Sequence, residues 1–367
     1  LKVLSAEDWV MSEEGNDLQA RIEHLMTQVD SRFLEWVVQH YANLINLPAT
    51  NPVMLHHLPR FFAHSLLSTQ SSSLRPSGKL AFLMVDGLAL DQWIVLREVL
   101  GELDSKLRFR ENAVFAWIPT ITSVSRQAAF AGKPPIYFPT SIHTTDKEPG
   151  LWTQFWVDQG LNANEVAYAK GLGEGDLDKV SELLSRPRLR VVGLVIDKVD
   201  RIMHGMELGA AGMHNQVRQW ARQGFMRDLL GLLHDRGFQV YLASDHGNIE
   251  ARGVGRPAEG AVADLRGERV RVYSDPRLRA QIKEAIDSRL PWRSPSGQPA
   301  AVQNGNPAVL SLQSLEWPSV GLPEDYLALI APNRAAFVRA GETLVGHGGI
   351  SVEELLVPLV QIDRRNR

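Results

Sequence analysis

From Leu80 onward the chain alternates short apolar, largely β-branched runs with helical patterns, and no other feature narrows the fold as much. The runs are Leu80 to Val85, Ala113 to Trp117, Val191 to Ile196, Gln239 to Ala243, Val270 to Tyr273 and Leu355 to Ile362, each ending in a loop. Between them lie helix-spaced stretches such as Asp91 to Leu100, Leu177 to Ser185 and Val217 to Arg236. Alternation of this kind predicts an α/β sandwich with a mostly parallel sheet. In such a sheet, ligands sit at the carboxyl ends of the strands.

Upstream, Ile22, Leu25, Met26, Val29, Phe33, Leu34, Val37 and Val38 recur at helical spacing between Leu18 and Leu47. They predict an amphipathic helix, with helix continuing through Leu67. The polar stretch from Ser68 to Lys79, STQSSSLRPSGK, then marks a boundary. Residues 1–78 are expected to form an N-terminal helical region and linker, and residues 79–367 the main domain. The segment from Gly132 to Ser141 reads as an ordinary loop.

With 367 residues, 44% hydrophobic and 22% charged, the chain can bury one large core, or one core plus a smaller domain. A net charge of -3 gives no basic excess, so contact with nucleic acid would need a local patch or bound metal. The absence of cysteine excludes disulfides, thiolate metal sites and cysteine nucleophiles, and it suits a reducing cytoplasm. No apolar run reaches about eighteen residues and no basic leader precedes an apolar core, so neither a membrane span nor a signal peptide is expected. The start at Leu1 rather than Met suits the C-terminal part of a longer polypeptide, or a chain that has lost a tag.

Chemistry concentrates where the runs end. LMVDG supplies Asp86, LVIDKVDRIMHG supplies Asp197, Asp200 and His204, YLASDHG supplies Asp245 and His246, and LVGHGG supplies His347. Carboxylates and imidazoles brought to one edge of a sheet make an oxygen and nitrogen cage for two metal ions. Each has a plainer reading alone. Asp86 is a natural helix cap or turn residue, Asp200 and His204 have the i,i+4 spacing of a solvated pair, and glycines around His347 also mark unusual backbone angles.

A nucleophile candidate lies in WIPTITSVSRQAAFAG, where a strand-like segment stops at Pro119 and a helix begins near Ser123. Thr122 then sits at a helix N-terminus, which favours a phosphate and an ionised hydroxyl. Its competing role is a helix cap. Arg126, one turn later, is placed to donate paired hydrogen bonds to the same anion, with a solvated surface arginine as the competitor.

These residues, in this order, resemble the alkaline phosphatase superfamily and, within it, the PglZ domain family of bacterial BREX phage-defence systems. The features carrying the resemblance are LMVDG, PTITSVSRQA, SDHG and HGGISVEELLVPLV, spanning Leu80 to Ile362. The resemblance implies a three-layer α/β sandwich with a mostly parallel sheet and an inserted smaller subdomain. It also implies Thr122, rather than Thr120, as the attacking residue. One divalent ion would be held by Asp200, His204 and His347 and a second by Asp86, Thr122, Asp245 and His246, with zinc or manganese the expected metals. The implied activity is hydrolysis of phosphate esters, as a phosphodiesterase or phosphatase acting on nucleotide or nucleic-acid substrates. The implied partners are other BREX antiviral-defence proteins.

The alternative from another class is a metal-stabilised, catalytically weak scaffold in a defence complex. Sulfate ester hydrolysis ranks lower, because sulfatases oxidise a cysteine or serine where this chain has Thr122. The glycines at Gly171, Gly173 and Gly175 lack the lysine of a P-loop and are expected to form a loop shaping substrate access. His56, His57, His143, His214 and His234 fit no motif and are expected to be structural or exposed.

Overall fold

The computed structural model describes residues 13–67, 78–175, 177–206, 208–258, 263–290 and 313–365. Its strands are β1 (Lys79–Val85), β2 (Leu107–Phe115), β3 (Val166–Leu172), β4 (Val191–Ile196), β5 (Phe238–Ala243), β6 (Ile249–Gly253), β7 (Leu265–Arg266), β8 (Val270–Tyr273), β9 (Leu315–Glu316), β10 (Leu327–Ile330), β11 (Ala335–Ala336), β12 (Thr343–Gly346) and β13 (Leu356–Arg364). Its main helices are α1 (Glu13–Leu44), α2 (Leu58–Leu67), α3 (Leu90–Leu103), α4 (Thr122–Ala131), α5 (Glu148–Asp158), α6 (Leu177–Leu184), α7 (Lys198–His204), α8 (Gly209–Arg222), α9 (Phe225–Asp235) and α10 (Pro276–Asp287).

The central sheet has the order β2-β13-β5-β1-β4-β3. Strands β3, β4, β1 and β5 are parallel, whereas β13 runs antiparallel to β5 and β2. Side chains alternate faces along a strand. Leu80, Phe82 and Met84 therefore join a core with residues of α2, α4 and α5, while Ala81, Leu83 and Val85 join a second core with residues of α3, α8 and α9. Burial on both faces explains why β1 is apolar throughout rather than alternating. Fully burying a side chain such as Phe82 or Leu83 stabilises the fold by roughly 1.5–3 kcal/mol.

Three elements differ from the sequence reading. Strand β2 begins at Leu107 and ends at Phe115, earlier at both ends than the run from Ala113 to Trp117. It is the edge strand of the sheet, paired along its length with β13 and bridged at Phe115 to Met54, and its exposed Arg108, Arg110, Glu111 and Asn112 hide its strand character. The stretch from Val217 to Arg236 belongs to two helices, separated at Gly224, whose φ of 89° suits glycine. Helix also does not continue unbroken through Leu67. It stops at Leu44 before Pro48 and Pro52, and α2 starts at Leu58.

Helix α1 has two unlike halves. Val37 and Tyr41 join the core of the central sheet, and the Tyr41 hydroxyl donates to the Ala116 carbonyl at 2.8 Å. Leu18, Ile22, Leu25, Met26 and Val29 are exposed. The smaller subdomain lies between β5 and β13 and is formed, among the described residues, by 249–258, 263–290 and 313–346. It contains the antiparallel sheet β7-β8-β10-β9, with α10 packed on it, and the three-stranded sheet β11-β6-β12. Among the described residues no helix is long and apolar enough to cross a membrane.

Candidate metal centre and active site

Two neighbouring strands of the central sheet, β1 and β5, deliver Asp86 and the pair Asp245-His246. Strand β4 leads into α7, which carries Asp200 and His204, while β12 ends just before His347 and α4 opens with Thr122. Asp197 pairs with Arg201 at 3.0 Å and joins neither group of candidate ligands.

The inner group is Asp86, Asp245 and His246, all buried, with ligand atoms within 4.8 Å of one another. Asp245 Oδ1 accepts from the Gly87 and His246 N–H groups, each at 3.1 Å, leaving Oδ2 buried without a partner. Asp86 Oδ2 accepts from Arg126 Nη1, leaving Oδ1 buried without a partner. His246 Nδ1 is 3.0 Å from the Gly247 carbonyl. A carbonyl only accepts, so Nδ1 carries the proton and Nε2 keeps its lone pair. That Nε2 lies 3.7 Å from Asp86 Oδ1 and 3.9 Å from Asp245 Oδ2. Two buried carboxylate oxygens without a hydrogen-bond partner thus face an imidazole nitrogen, a donor set that fits a divalent cation. Burial, and then the charge of Asp86, raises the pKa of Asp245 well above the ordinary carboxylate value.

The outer group is Asp200, His246 and His347, so His246 belongs to both. His347 Nδ1 donates to the Thr120 carbonyl at 2.8 Å, which frees Nε2, and the rings of His246 and His347 stack with centroids 3.9 Å apart. Burial and the neighbouring His246 lower the His347 pKa to about 4, which keeps it neutral and able to ligate. His204 lies beside this group rather than within it, with Nε2 3.4 Å from Asp200 Oδ1. Its hydrogen bond to Asp200 raises its pKa above the usual histidine value. Burial pushes Asp200 upward, but His204 and the imidazoles of His246 and His347 outweigh it and hold the carboxyl below its ordinary value.

Thr122 is partly exposed, and its Oγ1 is 2.9 Å from Nε2 of His246, the residue both groups share. The N–H groups of Val124 and Ser125 bond the Ile121 carbonyl. Those of Thr122 and Ser123 have no hydrogen-bond partner among the described residues, so two donors and the helix dipole point at whatever meets the hydroxyl. Thr120 is differently placed. Fully buried, it donates its hydroxyl to the Gly349 carbonyl at 2.9 Å and accepts from Gly348 N–H at 3.1 Å.

Arg126 is buried, with Nη1 on Asp86 and Nε 2.8 Å from Glu148 Oε1. Burial alone would lower its pKa, yet Asp86 and Glu148 reverse this and raise it. The residue expected to meet the anion is therefore paired with two carboxylates. Glu148 also accepts from the Tyr168 hydroxyl at 2.5 Å. The sequence reading missed Glu148 and Tyr168; the glutamate before Pro149 in EPG signals only a helix start. It also missed the reason for the glycine in SDHG, where a Cβ on Gly247 would collide with the Glu353 carbonyl.

The unassigned histidines behave as structural groups. His56 and His57 both hydrogen-bond the Ile45 carbonyl, at 3.0 and 3.2 Å, His143 stacks on Tyr326, His214 pairs with Asp91, and His234 bonds the Ile362 carbonyl. Gly171 belongs to β3 rather than to a loop, and Gly173 and Gly175 follow in the turn after it, where Gly173 lies against Lys198 of α7 and Glu174 pairs with Lys198 at 2.5 Å.

Residues 70–301 match the sequence profile of a family described as the BREX-system PglZ alkaline phosphatase-like domain. Murine ectonucleotide pyrophosphatase/phosphodiesterase 5, in an inactive threonine-to-alanine form in complex with AMP, superposes with a TM-score of 0.50 at 12% identity, covering 77% of this chain and 87% of that one. A second structure of the murine protein gives 0.49 at 13% identity, covering 77% and 88%. Phosphonoacetate hydrolase from Sinorhizobium meliloti 1021, in complex with phosphonoacetate, gives 0.40 at 15% identity, covering 78% and 90%. At 12% identity the likeness to the AMP-bound murine structure is one of fold alone. No curated protein matches the sequence.

Proposed function

The chain belongs to the BREX-system PglZ alkaline phosphatase-like family, and from that premise we propose that it is a metal-dependent phosphoester hydrolase with Thr122 as its nucleophile. The observation that carries this is the Thr122 hydroxyl, 2.9 Å from His246 Nε2 at the open start of α4, beside two buried carboxylate oxygens without partners. Two divalent ions, zinc or manganese, would be held by Asp86, Thr122, Asp245 and His246 and by Asp200, His204 and His347. When bound, they lower the pKa of a hydroxyl and neutralise charge on phosphoryl oxygens.

In this reading Thr122 Oγ1, its proton passed to water, attacks phosphorus in line; the bond to the leaving oxygen breaks and that oxygen takes a proton from water; a second water then cleaves the phosphothreonine, releasing the phosphate and returning a proton to Oγ1. The Thr122 and Ser123 N–H groups meet its equatorial oxygens. Thr120 is a poor competitor because its hydroxyl is buried and bonded to the His347 loop. Arg126 takes a positioning role in place of an anion clamp: it holds Asp86 Oδ2, so that Oδ1 faces the ion, and Glu148 holds Arg126. Nucleotides or nucleic-acid phosphodiesters are the proposed substrates, and the cytoplasm, suggested by the lack of cysteine, the proposed compartment. The chain boundary near residue 78 is likewise proposed, with α1 and α2 as an N-terminal addition packed on the hydrolase core.

A scaffold role has one observation in its favour: the exposed apolar residues Leu18, Ile22, Leu25, Met26 and Val29 of α1 offer a surface to other defence proteins. Turnover separates the two. With zinc or manganese, wild-type protein should hydrolyse bis-p-nitrophenyl phosphate or p-nitrophenyl phosphate, and EDTA should abolish this. Thr122→Ala should lose at least about a thousandfold in rate while still binding ions. Full activity in Thr122→Ala rules out the nucleophile; no turnover with any metal favours the scaffold.

A further inference from the structure

Three glycines flank His347, and each lies against a different residue of one short segment of the smaller subdomain. A Cβ on Gly346 would sit 3.2 Å from Glu268 Cβ, one on Gly348 would sit 2.8 Å from Val270 Cγ1, and one on Gly349 would strike the Arg269 guanidinium. Side chains at these positions would push the loop off the segment, so the glycines record a close approach. The segment itself is pinned. Glu268 and Arg269 accept through their carbonyls from Phe337 and Ala331 N–H at 2.7 and 2.9 Å, and Val270 opens β8. Arg269 also forms a buried pair with Glu354 at 2.8 Å, and Glu354 accepts from Gly349 N–H at 2.8 Å and Ser351 N–H at 3.1 Å. The His347 loop is thereby clamped from two sides.

Glu268 reaches beyond the loop. Its Oε1 is 3.8 Å from Nδ1 of His204, whose other nitrogen faces Asp200. Glu268 belongs to neither group of candidate ligands. We propose that Glu268 is a positioning residue for the outer ion site: it holds Nδ1 of His204 so that Nε2 is presented beside Asp200, while Arg269 and Val270 set the height of His347. The smaller subdomain is then a template for the outer site rather than a separate appendage. This inference rests on the metal-dependent reading above. Partners that orient a metal-binding imidazole typically change ion affinity by about 10- to 100-fold.

Calorimetric titration with zinc tests it on wild-type protein, Glu268→Gln and Gly346→Ala. Glu268 is partly exposed and glutamine has its shape, so the ion-free melting temperature of Glu268→Gln should match wild type. One of two zinc sites should weaken about 10- to 100-fold in Glu268→Gln and the other should not change. The visible spectrum of the cobalt-loaded variant should shift, which a merely structural role would not cause. Gly346→Ala should weaken the same site. If wild type binds two ions and Glu268→Gln binds both with unchanged affinity and an unchanged cobalt spectrum, the positioning role is overturned alone. If wild type binds neither zinc nor cobalt, the metal-dependent reading falls and this one with it.

Discussion

The two halves of the candidate centre are built in different ways. The inner group rests on Asp86, Asp245 and His246, which leave adjacent parallel strands and are buried. The outer group takes Asp200 from a short helix and His347 from a loop of the smaller subdomain, with His204 half exposed beside them. The inner half is therefore fixed by the central sheet, whereas the outer half depends on how two substructures meet. Unpartnered carboxylate oxygens out of reach of water make the inner half costly without a cation. In the outer half, a hydrogen bond between His204 and Asp200 and access to water lower that cost.

The largest test of this difference is Asp245→Asn. It should abolish inner-ion binding and reduce turnover by at least about a thousandfold. In EDTA, however, the variant should melt above wild type. The Asp245 carboxyl is pushed toward its protonated form by burial and by Asp86, and asparagine removes that strain while Oδ1 can still accept from Gly87 and His246. A lower melting temperature would mean that the inner half is stable without its ion. A smaller loss should follow His204→Ala, about 10- to 100-fold in outer-ion affinity, because water can replace an exposed imidazole better than a buried carboxylate. Equal losses in the two variants would erase the distinction.

The smallest effect separates stability of the fold from stability of the site. Burial, and then the charge of His57, lowers the His56 pKa to about 3, and His56 belongs to neither group. An unfolded histidine titrates near about 6.5, so between these values the unfolded chain binds the extra proton. The His56 contribution is fully present above about pH 6.5 and is lost as pH falls, at up to about 1.4 kcal/mol per pH unit. Urea unfolding in EDTA at pH 7.5 and pH 5 should show a smaller pH dependence in His56→Gln than in wild type. An unchanged difference would contradict a buried neutral His56.

Legibility in the sequence follows the same division. Burial on both faces makes β1, β4 and β5 continuous apolar runs, so they and the acidic residues at their ends stood out. Strand β2 was read short because an edge strand carries polar side chains, and the outward-facing apolar half of α1 could not be told from a core-facing stripe by periodicity. Arg126 was found by its spacing from Thr122, but spacing does not reveal that Asp86 and Glu148 pair with it.

By itself the sequence determined the α/β alternation, the acidic and histidine residues at the strand ends, and a helix opening at Thr122. These depend on local periodicity, chain direction and residue chemistry, which neighbours along the chain specify. Only the tertiary structure decided that His246 is shared by both groups, that Arg126 and Glu148 stand behind Asp86, and that Glu268 reaches His204 from the smaller subdomain. Those relations join residues far apart in the chain, and their distances are set by how whole layers pack rather than by any local pattern.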